Sequence, residues 1–342
     1  MSSAILNRLL DGESLSRTEA GALLEQMMDG APGPELAAAI LTALRMKGES
    51  IDELTGFAEV MRSRCIRVPV APGPDLIDTC GTGGDNSGSF NVSTATAFVA
   101  AGMGLRVAKH GNRSVSSRCG SADVLEELGV CVTLSPENMA GCIEQCGIGF
   151  LFAPLLHPAM GQIAPVRRAL GIRTFFNMLG PLSNPAGARC QLIGCFSGLA
   201  ALKMGAVLQE LHCDHAMLVH SRDGLDEIST CAETDILIVR DGQTMTTTVS
   251  PEDLGLRRAD RAELQGGGRE QNASIIREVL EGQSGAARDI VLANAAACAV
   301  LGGLADELRD GVKLAAESID SGRALERLER LIALSHKQEV AR

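Results

Sequence analysis

The chain has no tryptophan, no tyrosine and only 8 phenylalanines among its 342 residues. Its core must be built from Leu, Val, Ile, Ala and Met, and the aromatic platforms that stack single-stranded nucleic acid are missing. No long Lys/Arg run occurs and the formal net charge is −11, which argues against a phosphodiester backbone as partner. Continuous apolar runs of the ~18 residues needed to span a bilayer are also absent, as is a basic segment leading into an apolar one at the N-terminus. No membrane partner is expected, and the cytoplasm is the default location. The 11 cysteines are odd in number and contain no C-x-x-C pair, so they read as buried free thiols rather than a disulfide or zinc framework. Cys142 and Cys146 share only a helical spacing, and the adjacent residues of "HCDH" (212–215) diverge on any regular element. Neither G-x-G-x-x-G nor G-x-x-x-x-G-K-[ST] occurs, which removes the dinucleotide fingerprint and the P-loop.

What remains is a globular composition, 45% hydrophobic and 21% charged, in a chain long enough for two domains. The first 65 or so residues read as three or so helices. "SRTE" (16–19) and "SIDE" (50–53) are capping boxes, and "PELAAAILTALRMKG" lies between them. "VPVAPGP" (68–74) is a linker, after which strands alternate with helices: "DLIDT" (75–79), "STATAFVAAGMG" starting at Ser93 or Thr94, "LRVAKH", "SADVLEELG", "VCVTL" (130–134), "SPENMAGCIEQCG" with Pro136 in its first turn, and "IGFLFAP". Repeated βα units predict a mainly parallel sheet with ligand at the carboxyl ends of its strands. Residues 157–190 are rich in turn residues around one helix at Arg167 and read as a crossing segment that returns to the N-terminal helices. "HAMLVHS" and "DILIVRDG" are further strands, and helices such as "ARDIVLANAAACAVLGGL" close the chain.

The chemistry concentrates at strand ends. "GTGGD" (81–85) is a glycine-rich turn leading into a helix whose start, "NVST" (91–94), offers free N–H groups and hydroxyls, a general anion-binding arrangement. "KHGNR" (109–113) ends the next strand and brings the compact cation of Lys109 to the same edge, and "SVSSRCGS" (114–121) adds hydroxyls. "DGLDE" (223–227) adds Asp226 and Glu227. Two adjacent carboxylates beside a phosphate site imply a hard cation between them, Mg2+.

With these residues in place, "DTCGTGGDNSGSFNVST", "VAKHGNRSVSSRCGSADVLEELGV", "FLFAPLLHPAM", "APVRRALGIRTFFNMLGPLSNPA" and "HSRDGLDEIS" closely resemble the anthranilate phosphoribosyltransferases over essentially the whole chain. The resemblance implies a pentosyl-transferring glycosyltransferase of tryptophan biosynthesis that joins anthranilate to phosphoribosyl pyrophosphate (PRPP). It also implies a homodimer and an α/β fold of the nucleoside phosphorylase/phosphoribosyltransferase type. That fold has a small N-terminal helical domain (1–67, joined by part of 157–190) and a larger α/β domain (75–342). Carried onto this sequence, it places PRPP against Gly81, Gly84, Asp85, Ser89, Asn91, Val92, Ser93 and Thr94. The second PRPP-binding stretch is Lys109, His110, Gly111, Asn112, Arg113, Ser114, Val115, Ser116, Ser117 and Ser121. Anthranilate is assigned to Gly81, Asn112, Arg167, His110 and Pro181, magnesium to Ser93, Asp226 and Glu227, and the catalytic roles to Lys109, Arg167 and Asn112. A planar guanidinium such as Arg167 is the natural reader of a flat carboxylate.

The sequence departs from the family pattern at four positions. Asn86 stands for a usual Gly and Ser89 for a usual Thr, both compatible with the loop. Leu156 replaces the first His of "HHPAM", leaving His157, and Gly161 replaces a basic residue. A nucleoside phosphorylase and a non-catalytic nucleotide-binding protein remain alternatives for the glycine loop taken alone.

Overall fold

The structure, a computed structural model, describes residues 2–71, 73, 75–84, 87–114 and 118–339, with the side chains of residues 2, 338 and 339 left aside. Four helices open the chain: α1 (Ser2–Leu10), α2 (Arg17–Met28), α3 (Pro34–Lys47) and α4 (Ile51–Arg64). Both expected capping boxes are present. Ser16 accepts from the Glu19 N–H and Ser50 from the Glu53 N–H, while each glutamate reaches back to its cap. Glu53 is fully buried, and its carboxylate also takes the Leu15 N–H at 2.9 Å and the Lys47 ammonium at 2.9 Å.

Next come β1 (Leu76–Gly81), α5 (Val92–Gly102), β2 (Arg106–Gly111), α6 (Ser121–Glu127), α7 (Pro136–Cys146) and β3 (Ile148–Phe152). The crossing segment holds α8 (Ala153–Leu156), a 3-10 turn (Pro158–Gln162), α9 (Ala164–Leu170) and α10 (Phe176–Leu182), more helix than the single one expected. Then follow β4 (Cys190–Gly194), α11 (Gly198–Glu210), β5 (His215–Ser221), β6 (Thr234–Arg240) and β7 (Gln243–Val249). The chain ends with α12 (Arg269–Leu280), α13 (Ala286–Leu301), α14 (Leu308–Asp320) and α15 (Arg323–Glu339). Among the described residues no helix is long and apolar enough to cross a membrane.

The sheet has 7 strands in the order β3-β2-β1-β4-β5-β6-β7. Pairing from β3 through β5 is parallel, and β6 and β7 extend the edge as an antiparallel meander. Strand alternation separates two cores. Leu192, Met217 and Val219 face the layer built on α5 and α13, whereas Ile193, Ala216 and Leu218 face α10, α11 and the N-terminal helices. On this second side three of the 8 phenylalanines form one continuous stack. Phe57 of α4 stacks on Phe175 at 4.1 Å, and Phe175 on Phe176 at 4.4 Å. Each stack adds about 0.5–1.5 kcal/mol beyond burial and pins the crossing segment to the helical bundle.

Three expectations need correction. "VCVTL" is not a strand: Val130, Val132 and Leu134 bury alternately, but the Cys131 N–H donates to Ser335 Oγ of α15 at 3.1 Å instead of to a neighbouring strand. Helix α5 starts at Val92 with Asn91 as its cap residue, ahead of Ser93. β4 and β7 were not anticipated, and β4 lies at the centre of the sheet. Among the described residues, which include all 11 cysteines, no disulfide is formed.

Candidate active site

Strands β1, β2 and β3 progress toward one edge of the sheet, and β4 and β5 toward the other. The order therefore reverses between β1 and β4, and the loops leaving their carboxyl ends diverge to open a crevice, the place where open α/β sheets bind ligands. Gly81, the last residue of β1, is the register partner of Gly194, the last of β4. The turn after β5 lies over both. A Cβ on Gly81 would sit 2.9 Å from Asp226 Oδ2, and one on Gly194 would overlap the Asp226 main-chain oxygen. Only glycine at these two strand ends lets Asp226 approach so closely.

The turn is itself fastened. Asp223 accepts from the Leu225 N–H at 3.2 Å and the Ser229 hydroxyl at 2.8 Å. Asn294, fully buried in α13, accepts the Ile228 N–H at 2.9 Å and donates to the Ile228 carbonyl at 3.0 Å. Asp226 and Glu227 are thus half-buried on a rigid edge.

Lys109 rises from β2, 3% exposed, and donates to the Thr79 carbonyl at 2.6 Å and to Ser93 Oγ at 3.1 Å. Burial pushes its pKa down, and the charges of Asp78 and Glu227 oppose that shift. Asp78, buried beneath the site, is pushed up by desolvation while its Oδ1 accepts the His110 N–H at 3.1 Å. Cation, hydroxyl and carboxylate from β2, α5 and the β5 turn therefore meet at one edge. Gly83 and Gly84 carry φ of +62° and +76°, a left-handed run that glycine adopts without steric cost and that lets the loop turn tightly after β1. Among the described residues no three His, Cys, Asp or Glu side chains are grouped to hold a metal by themselves. Mg2+ does not require such a cage, because one or two carboxylates plus substrate phosphates are its usual set.

Other expected positions are committed to holding loops. Asn91 donates to the Cys119 carbonyl at 3.2 Å and accepts from Asn272 at 2.9 Å. The Thr94 hydroxyl is buried without a partner among the described residues, and Val92 is buried in the core. Ser89 lies 3.0 Å from the Ser87 hydroxyl and bridges to Gln265. After β2, Asn112 is exposed, and its carbonyl accepts from Ser121 Oγ at 3.2 Å. Arg113 pairs with Glu126 and Asp123, and Asp123 also takes the Ser114 N–H at 3.0 Å. Asp85, Asn86, Val115, Ser116 and Ser117 lie outside the described residues.

The crossing segment forms the opposite wall. Arg167 of α9 is half-buried, its guanidinium stands 4.9 Å over the Phe176 ring, and no carboxylate lies within 4.0 Å of it among the described residues. Burial lowers its pKa. An unpaired guanidinium on an aromatic floor is an open receptor for a planar carboxylate. Two contacts join this wall to the glycine loop. Arg173, stacked at 4.5 Å on Phe196, donates to the Gly84 carbonyl at 3.1 Å, and Asn177 lies 3.4 Å from the Thr82 carbonyl.

Behind them are two neutral histidines. The His110 and His157 rings are 5.2 Å apart, and burial lowers their pKa values to about 3 and about 4. His110 Nδ1 is 3.2 Å from the Gly180 carbonyl, which can only accept, so the proton sits on Nδ1. The buried Nε2 of each ring has no partner among the described residues. Pro181, the next residue, is also buried. Sequence reading missed Arg173, Asn294, Asp78 and the pairing of the two histidines. An Arg inside "GIRT" and an Asn inside an alanine-rich helix carry no local signal of what they touch.

Over residues 3–65 the chain matches the glycosyl transferase family, helical bundle domain, and over 73–325 the glycosyl transferase family, a/b domain. The anthranilate phosphoribosyltransferase of Anaeromyxobacter sp. (strain K) is 55% identical over 326 residues, 95% of this chain and 96% of that protein. That of Pelotomaculum thermopropionicum is 50% identical over 327 residues, 96% of this chain and 94% of that one. The crystal structure of the Thermus thermophilus anthranilate phosphoribosyltransferase superposes with a TM-score of 0.90 at 41% identity, over 97% of this chain and 99% of that one. The Saccharomyces cerevisiae enzyme in complex with PRPP and Mg gives a TM-score of 0.90 at 28% identity, over 98% of each chain. The chain belongs to the glycosyl transferase family described by these two domains and, within it, to the anthranilate phosphoribosyltransferases.

Proposed function

We propose that this chain transfers the 5-phosphoribosyl group of PRPP to the amine of anthranilate, forming N-(5-phosphoribosyl)anthranilate and pyrophosphate in tryptophan biosynthesis. The observation that carries the reading is the paired glycine ends of β1 and β4 under Asp226. They set a carboxylate turn, a buried ammonium and a helix start around one crevice. The names of relatives more than half identical to it supply the substrates.

In this reading the glycine loop (Gly81, Gly84, Asp85) and the start of α5 receive the diphosphate, with Ser93, Thr94 and Lys109 as fixed donors and the 109–121 segment around the ribose and its phosphate. Asp226 and Glu227, with Ser93, would hold Mg2+, which fits their hard oxygens beside an anion site. When bound, Mg2+ neutralises charge on the departing diphosphate. As the C1–O bond breaks, negative charge grows on the leaving oxygen, and Lys109 with the backbone dipoles stabilises it without reorganising.

Arg167 and Asn112 orient the anthranilate carboxylate, and His110 and Pro181 line its ring. The aromatic amine is neutral near pH 7 and already nucleophilic, so positioning dominates and a dedicated base is unnecessary. Burial holds His110 and His157 neutral, so their rings add no positive charge to the acceptor side. Closure of the crossing segment on the glycine loop, through Arg173 and Asn177, would exclude water from the activated sugar.

The test is the co-product. One pyrophosphate released per anthranilate consumed supports the reading, whereas cleavage of a nucleoside by inorganic phosphate would replace it with a phosphorylase.

A further inference from the structure

At the amino-terminal end of the strands, opposite the Gly81 crevice, lies a cavity of about 70 Å3 that opens to solvent. Arg62, Arg67 and Arg189 line it, and among the described residues no aspartate or glutamate does. In a chain of net charge −11, a cavity walled by three cations and no anion is an anomaly in need of a cause.

The cations are unequally satisfied. Arg189 pairs with Asp214 at 2.6 Å just outside the cavity and donates to the His212 carbonyl at 2.8 Å. Arg62, at the end of α4, uses Nε to reach the Leu182 carbonyl at 2.6 Å, but among the described residues no acceptor takes its Nη groups and no carboxylate lies within 4.0 Å. Its burial, together with the charge of Arg67, pushes its pKa down, and only the more distant Glu59 and the Cys213 and Cys65 thiols pull the other way. Glu59 is itself bound to Arg17 at 2.6 Å. Arg67 is exposed and makes no hydrogen bond or ion pair among the described residues. A desolvated guanidinium without a counter-ion is costly, and two open guanidinium forks around a cavity suit bidentate oxyanion capture.

We propose that this cavity binds a compact anion, a carboxylate or phosphate group held by Arg62 and Arg67 with Arg189 at its rim. The occupant would rest against the groups that position α10. Arg62 holds the Leu182 carbonyl, and Gln191, also in the lining, donates to the Pro181 carbonyl at 2.7 Å. The site is separate from the reaction crevice and stands independently of the activity proposed above.

Calorimetric titration of the full chain at constant ionic strength tests it, with sulfate as the phosphate surrogate and succinate as the carboxylate probe. Saturable one-to-one binding of at least one probe is expected, with affinity falling at least tenfold in Arg67→Gln, a surface change that leaves the fold intact, and in Arg62→Gln. Which probe saturates identifies the anion. Absence of saturable binding of either probe to the wild type, or binding that Arg67→Gln leaves unchanged, overturns the proposal.

Discussion

Arg167 shows how far a single residue can be read from sequence. In "VRRALGIR" nothing local separates it from a solvated surface charge, and its assignment came from resemblance. The structure adds what suits it to the proposed role: it is half-buried, has no carboxylate within 4.0 Å among the described residues and is set on Phe176. Its charge-assisted bonds to a carboxylate are worth about 1.5–3 kcal/mol. Arg167→Ala should therefore lower kcat/KM for anthranilate by roughly 10- to 150-fold, with the PRPP KM within about twofold of wild type. Equal effects on both substrates would remove Arg167 from its role.

The buried histidines make a pH prediction. Their folded pKa values, about 3 for His110 and about 4 for His157, lie below the ordinary value near 6.5. The unfolded chain then binds more protons as pH falls. Their stabilisation is complete above pH ~6.5 and is lost on the way down to the folded values, by at most about 1.4 kcal/mol per pH unit for each ring. Urea unfolding at pH 7.5 and 5.5 should show a drop that shrinks by about 1.4 kcal/mol in His157→Gln. The opposite contribution of Asp78 is common to both proteins and cancels. An identical drop in the variant would contradict a neutral buried His157. That pair was invisible in sequence because His110 and His157 meet only after β2 and β3 are placed side by side.

At the scale of elements, legibility followed local pattern. The capping boxes, the β1, β2, β3 and β5 runs and the Pro136 helix start all carry short-range signals. β4 does not: "CQLIG" is a five-residue buried run whose partner, β1, lies more than a hundred residues earlier. β7 is mostly exposed threonine and lacks an apolar face. "VCVTL" has the alternation of a strand but no partner, since α15 takes its backbone donor. The glycines at the β1 and β4 ends belong to this scale, because their value lies in what crosses above them. Gly194→Ala forces the Asp226 turn off the strand ends, an overpacking cost of about 1–3 kcal/mol. It should raise the magnesium concentration for half-maximal activity at least fivefold, with the far-ultraviolet circular dichroism unchanged. Gly198→Ala, where a Cβ meets open space, is the control. A wild-type magnesium response in Gly194→Ala would separate Asp226 from the metal.

For the whole molecule, one aromatic stack joins distant parts of the chain. With 8 phenylalanines and no other aromatic except histidine, three of them stack where the helical bundle meets the crossing segment, and the last of the three carries Arg167. The proposed diphosphate cradle and acceptor wall thus sit on different parts of the chain, and Arg173 and Asn177 join the second to the glycine loop. The glycine loop alone implied only a phosphate. In the proposed function, Lys109 on the neighbouring strand, Asp226 across the edge and the Arg167 wall make it a site for two substrates. The most direct measurement is the fluorescence of anthranilate mixed with the full chain. Its emission should disappear only when PRPP and Mg2+ are both present, and emission that persists in the complete mixture would contradict the assignment.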